Sequence, residues 1–217
     1  MLPVIRVRKR NMLTIWGRNT SSNVMKVLWL CDELLIPYHR EDVGGAFGRT
    51  NEPFYLAMNP NSTVPTIVDT DGYTLWESNV ILRYLCATRG DGRLFPVDPR
   101  ARGNVERWVD WQQTSLNPRM MTLFIGLIRT PPEKRDMAAI EAARVQAAGL
   151  FNMLEQQLEG RDYIAGAFSI ADIALGPLLH RWLHLPLERP DQPRLRAWYD
   201  RMLTHPGYAT HCAGGLA

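Results

Sequence analysis

The stretch GRNTSSNVMKV, residues 17–27, sets Asn19, Thr20, Ser21, Ser22 and Asn23 between a short strand-like run (Leu13, Thr14, Ile15, Trp16) and an amphipathic pattern. Such side chains cap helices, because their oxygens accept from the free N–H groups of a first turn. They also place a hydroxyl where the helix N-terminus favours anions, so the same turn suits a thiolate or a phosphate. In NPNSTVPTI (59–67), Pro65 stands directly before a strand-like run. A cis Val64–Pro65 bond there would leave the N–H and C=O of Val64 free to pair with the backbone of a peptide-like ligand, and an ordinary trans proline entering an edge strand is the other reading. In LWESNVIL (75–82), Glu77 and Ser78 open a helix. They either favour and cap its N-terminus or hold an amino-acid head group, Ser78 taking the carboxylate and Glu77 the ammonium.

The elements that must position these groups follow from periodicity. Residues 13–16 read as a buried strand, and Val24, Val27, Leu28, Cys31, Leu34 and Leu35 follow at helical spacing. IPYHREDV (36–43) alternates like a strand, and GGAFGRTNEPF (44–54) has the Gly, Asn and Pro content of a loop. TIVD (66–69) and YTLW (73–76) flank Thr70, Asp71 and Gly72, a hairpin signal, and a helix carrying Val80, Ile81, Tyr84 and Leu85 stops at Gly90. GDGRLFPVDPR (90–100) breaks the periodicity. Beyond it, helical stretches at about 100–128, 133–159, 169–183 and 191–204 are separated by RTPP, EGRDYIAGAF and HLPLERP. The order predicts an α/β domain followed by an all-α domain: a basic N-terminal extension at 1–11, the first domain at 12–89, a linker at 90–99 and the helical domain at 100–217.

Composition narrows the function classes. Of the net charge of +3, the extension residues Arg6, Arg8, Lys9 and Arg10 carry +4, leaving the body near neutral and giving no footprint for nucleic acid. No apolar run reaches the roughly 18 residues that span a bilayer, and MLPVIRVRKR lacks the pattern of a signal peptide, so a cytoplasmic chain without a membrane partner is expected. Three separated cysteines, Cys31, Cys86 and Cys212, form no CxxC and give no disulfide framework, dithiol centre or metal site.

The three stretches SS…KV, NPxxxVPTI and LWESNVILRYL, at these spacings and ahead of an all-α half, resemble the cytosolic glutathione transferase family across about residues 12–210. The resemblance, closest to the bacterial theta-, phi- and zeta-like serine type, implies a thioredoxin-like N-terminal domain that binds glutathione as co-substrate, and a helical C-terminal domain that walls the site for a small hydrophobic electrophile. Counted back from KVLWLCDE, Ser21 falls at the family's catalytic serine, with Ser22, Asn19 and Thr20 as alternatives. No tyrosine or cysteine lies in 17–25, which separates the chain from the tyrosine- and cysteine-type classes. Asn23 departs from the Ser-Ser-Cys run of zeta isomerases. The glutathione contacts implied are Val64, Pro65, Glu77 and Ser78. Thr63 stands where the family often has Lys or Gln, and Arg49 is the candidate replacement charge. Trp111 and Ser115 are the implied co-substrate wall, with Trp182, Tyr208 and His211 near its closure. In GAFSIADIAL (166–175) the resemblance makes Ser169 and Asp172 a structural capping box, with Phe168 and Ile173 at the staple positions. The implied activity is conjugation of glutathione by a homodimer. A glutathione-dependent isomerase or dehalogenase, or a non-catalytic binding protein of the same fold, are its alternatives.

Overall fold

The computed structural model describes residues 12–216, and the basic extension at 1–11 lies outside them. Strand β1 (Leu13–Trp16) leads into helix α1 (Ser22–Glu33) and strand β2 (Tyr38–Glu41); strands β3 (Thr66–Val68) and β4 (Thr74–Trp76) then form the hairpin ahead of helix α3 (Ser78–Arg89). The sheet order is β2-β1-β3-β4, with β1 and β2 parallel and the other pairs antiparallel. A single turn of helix, α2 (Pro53–Leu56), lies in the segment expected to be loop. At four residues it carries no periodicity, and only Pro53 at its start marks it.

The chain from Pro99 onward is helical. Helix α4 (Pro99–Trp111) runs through a π-helical turn (Gln112–Leu116) into α5 (Asn117–Phe124) and ends in a second π-helical turn (Ile125–Arg129). The first widening has a local cause: Pro118 lacks the N–H that Thr114 would otherwise receive in a regular α-helix. Arg135 closes the far end, donating to the carbonyls of Leu127 (2.6 Å) and Thr130 (3.1 Å). Helices α6 (Met137–Gln157), α7 (Ile170–His184), α8 (Pro193–Leu203) and α9 (Pro206–His211) complete the order.

One apolar core runs through both halves. Helix α1 packs against α3, α7 and α9. Trp29 on α1 is fully buried, its ring 4.8 Å from that of Tyr208. Gly176 makes this approach possible, since a Cβ there would lie 2.8 Å from both Trp29 and Tyr208. Helix α7 starts with the capping box: Ala171 N–H donates to Ser169 Oγ, while Asp172 accepts from Ser169 N–H (3.0 Å), Ile164 N–H (3.0 Å) and Trp198 Nε1 (3.1 Å). The expected staple partner Phe168 packs its ring on Trp29, Tyr163 and His205.

Candidate active site

A cleft of about 310 Å3 opens where the N-terminus of α1, the Thr63–Val64 turn and the C-terminal end of the α4–α5 rod meet. Ser21 is the N-cap residue of α1, with φ −84° and ψ 122°, and its carbonyl accepts from Met25 N–H at 2.9 Å. Its side chain makes no capping hydrogen bond. The hydroxyl therefore lies in the cleft wall, beside the free N–H groups of the first turn, without being consumed by them. Ser22 and Asn23 also line the cleft. Ser22 Oγ accepts from Arg181 Nη1 and the Thr20 carbonyl from Arg181 Nη2, both at 3.3 Å. Thr20 lines a separate crevice with Pro177 and His180, and Asn19 is exposed and outside both.

The Val64–Pro65 bond is cis, and Thr63 and Val64 line the cleft. Buried Tyr55 and Asn59 hold the turn by donating to the Thr63 carbonyl at 2.6 and 2.9 Å, and both reach Thr66 Oγ1. Gly17 lets the end of β1 come against this turn, because a Cβ there would sit 2.5 Å from Val24 and 3.3 Å from Val64 at φ +157°. Glu77 is exposed and adopts φ +71°, a left-handed conformation uncommon for a side-chain-bearing residue. Ser78 is buried and its hydroxyl donates to Asn23 Oδ1 at 3.3 Å, tying the start of α3 to the start of α1. Ser21, Asn23 and Val64 thus line the cleft together, whereas Glu77 and Ser78 stand outside its lining, Ser78 joined to it through Asn23.

Other expected residues lie elsewhere. Arg49 is turned onto the Phe54 ring (4.8 Å) and toward Glu52 (3.7 Å), away from the cleft lining. Trp111 lines a different depression with Trp108 and Met153, and Ser115 lies half-buried in the first π-helical turn; neither reaches the cleft beside Ser21. The physical reason is position along the rod: Met121, Phe124 and Arg129, nearer its C-terminal end, supply the helical wall. Trp182 stacks on Phe151 in the core, Tyr208 is buried against Trp29, and His211 pairs with Asp32 at 2.8 Å, so none of these three closes the cleft.

Two features were not anticipated from sequence. Arg18, Arg129 and Arg181 converge on the cleft, from a loop, a helix end and a buried helix. Lys26, fully buried on α1, donates to Asn79 Oδ1 (3.0 Å) and Gln112 Oε1 (3.3 Å), joining the two halves of the chain beneath the cleft. Burial lowers its pKa to about 7, with Glu77 acting in the opposite sense. The signal for both features is a charge inside an apolar run, Lys26 in VMKVLWL and Arg181 in ALGPLLHRW.

No group of three or more His, Cys, Asp or Glu side chains able to hold a metal ion occurs among the described residues. None of the described helices is long and apolar enough to cross a membrane. Residues 20–88 match the family model for the glutathione S-transferase N-terminal domain, and residues 137–201 match that for the C-terminal domain. The chain is 39% identical over 197 residues to the glutathione S-transferase GstB of Escherichia coli K12, covering 90% of this chain and 95% of that one. It is 29% identical over 199 residues to the glutathione S-transferase F10 of Arabidopsis thaliana, covering 88% and 91%. Among solved structures, the theta class glutathione S-transferase from Xanthomonas axonopodis pv. citri with glutathione bound superposes with a TM-score of 0.92 at 40% identity, over 96% of this chain and all of that one. With this fold and these similarities in both halves, the chain belongs to the glutathione S-transferase family.

Proposed function

We propose that the protein conjugates glutathione to a hydrophobic electrophile and that Ser21 holds the reacting thiolate. The observation that carries this reading is the Ser21 hydroxyl, which lines the cleft at the N-terminus of α1 while making no capping bond. A free thiol near pKa 8.5 is only a few per cent thiolate at pH 7, and the thiolate is the nucleophile. A donated hydrogen bond from Ser21, with the first N–H groups of α1, need lower that pKa by about two units, roughly 2.7 kcal/mol. Serine keeps its own proton throughout.

The rest of the wall supports the binding of a γ-glutamyl tripeptide. The Val64 backbone makes no hydrogen bond to the described residues and is open to strand-like pairing with a cysteinyl residue. Glu77 and the N-terminus of α3 at Ser78 suit an ammonium and a carboxylate on one α-carbon. Met121 gives the opposite side of the cleft an apolar surface for the electrophile, with the buried Phe124 ring behind it under the guanidiniums. Fixing both reactants in this partly dry space supplies the remaining acceleration. We place the chain in the cytoplasm as a homodimer, the arrangement in which family members carry their sites beside a two-fold interface.

Retention on immobilised glutathione, followed by conjugation of an aromatic chloride monitored by absorbance, tests the reading. Retention with turnover supports it. Retention without turnover toward any electrophile would favour a binding protein, and failure to bind would overturn the assignment of this cleft.

A further inference from the structure

Arginine side chains in this chain are commonly neutralised. Arg83 pairs with Asp110, Arg89 with Asp69, Arg144 with Glu141 and Arg201 with Asp162. The three at the cleft are different. Among the described residues, no carboxylate lies within ion-pair distance of Arg18, Arg129 or Arg181. Arg181 is 5% exposed, and its two hydrogen bonds go to neutral oxygens, Ser22 Oγ and the Thr20 carbonyl. Its guanidinium lies 3.8 Å from the centre of the Phe124 ring, and that of Arg129 lies 5.0 Å from the same ring. Arg18 occupies the space left by two glycines: a Cβ on Gly45 would meet its Cδ and Nε at 3.0 Å, and one on Gly44 would meet its Nη1 at 3.1 Å.

The three groups act on one another. Burial, joined by repulsion from Arg129 and Arg18, lowers the pKa of Arg181 to about 10. Arg18 is depressed by its own burial and by Arg129. Gathering like charges in a partly desolvated cleft is unfavourable unless an anion arrives to compensate them. The thiolate and the glycyl carboxylate of glutathione together bring two negative charges, which against three arginines still leaves one positive charge over.

Resting on the glutathione-conjugating reading above, we infer that the electrophile carries its own compact anionic group, a carboxylate in the first instance, seated between Arg18, Arg129 and Arg181. Its apolar body lies against Met121. Guanidinium forks suit a carboxylate bidentately, and two of them above one aromatic ring fix where the anion goes relative to that ring. In the reaction the glutathione thiol gives its proton to solvent, sulfur forms the new bond to the electrophilic carbon, and the leaving halide departs with the pair from the broken carbon–halogen bond.

The test compares 4-chloro-3,5-dinitrobenzoate with its methyl ester, two electrophiles that share the reacting carbon and differ by one charge. Each kcat/KM of the full-length protein is divided by the uncatalysed rate constant with glutathione, so that intrinsic reactivity cancels. The expected enhancement is at least tenfold larger for the carboxylate, and the ratio shrinks as salt is raised. Arg129→Gln, at an exposed position that the fold tolerates, should lower that ratio at least fivefold, and Arg181→Gln should do the same if it folds. Equal enhancements for both compounds would overturn the inference while leaving conjugation standing. Arg129→Gln that raises KM for glutathione and slows both electrophiles alike would also overturn it, assigning the arginine to glutathione's own carboxylate or thiolate. No turnover of either compound, together with no glutathione binding by calorimetry, would overturn both the inference and the reading beneath it.

Discussion

Arg181 donates to the hydroxyl of Ser22 at 3.3 Å, whereas the hydroxyl of the adjacent Ser21 caps nothing and lines the cleft. Two neighbouring serines thereby take different parts, one seating an arginine and the other facing the reacting space. Ser22→Ala should move Arg181 rather than the thiol. The expected result is a loss of less than about threefold in kcat/KM with a neutral electrophile and an unchanged pH profile, because one weak neutral acceptor is removed. An upward shift of the profile in this variant would transfer the thiolate-binding role to Ser22.

Asp172 is fully buried, and its carboxylate gathers Ser169 N–H, Ile164 N–H and Trp198 Nε1. Asp172→Ala would orphan these donors, and unfolding in urea should show a loss of about 2–4 kcal/mol. Ser169→Ala should lose about 1 kcal/mol, the usual size of a cap. Neither change should raise KM for glutathione in the protein that remains folded. Wild-type stability with lost turnover would move the pair from folding to chemistry.

Lys26 gives the fold a pH dependence with a definite sign. Its folded pKa of about 7 lies below the unfolded value near 10.4, so between them the unfolded chain holds the extra proton. Stability from this group therefore rises with pH from about 7 to about 10, and below pH 7 the cost of burying the charge is present in full. Lys26→Met removes the titration and leaves Asn79 and Gln112 short of a donor at every pH. Urea unfolding at pH 6.5 and pH 9 should show the difference between the two chains moving in favour of wild type by about 2–3 kcal/mol at the higher pH. Parallel curves would mean that Lys26 stays charged in the folded chain across this range.

Glu77 holds a left-handed conformation at the entrance to α3 and is exposed. Glu77→Gln keeps the shape and deletes the charge. An ammonium bound alike in ground and transition states predicts a rise of about tenfold in KM for glutathione with kcat nearly kept, the loss of one charge-assisted contact. Unchanged KM with a collapsed kcat would place Glu77 in the chemistry instead.

Much of this architecture was legible because local signals agreed. The apolar run at 13–16, the hairpin around Gly72 and the helix halted at Gly90 each specify themselves within a dozen residues, and β1, β4 and α3 stand where those signals put them. Helix α9 is not marked in the sequence because its six residues, Pro206–His211, are too few to show a period. In the first half of the chain, Ser21 and Val64, which line the cleft, sit at element boundaries that the sequence marks, and Ser78, outside the lining, sits at another. The opposite wall was not legible. Whether Trp111 or Phe124 meets the cleft depends on where along the rod the first half of the chain packs, and spacing within one helix does not carry that. Arg18, Arg129 and Arg181 meet only through tertiary packing, so no interval in the sequence connects them.

The central claim is that Ser21 lowers the pKa of the glutathione thiol, and the direct measurement is the pKa of bound glutathione. The ultraviolet absorbance of the thiolate, followed against pH in wild type and Ser21→Ala, reads it without requiring knowledge of the natural electrophile. In Ser21→Ala, glutathione affinity should be nearly kept, the thiol pKa raised by about one to two units and kcat/KM at pH 7 lowered roughly ten- to a hundredfold, with part of the rate recovered at higher pH. A Ser21→Ala protein that binds glutathione and titrates its thiol at the wild-type pKa would contradict the claim.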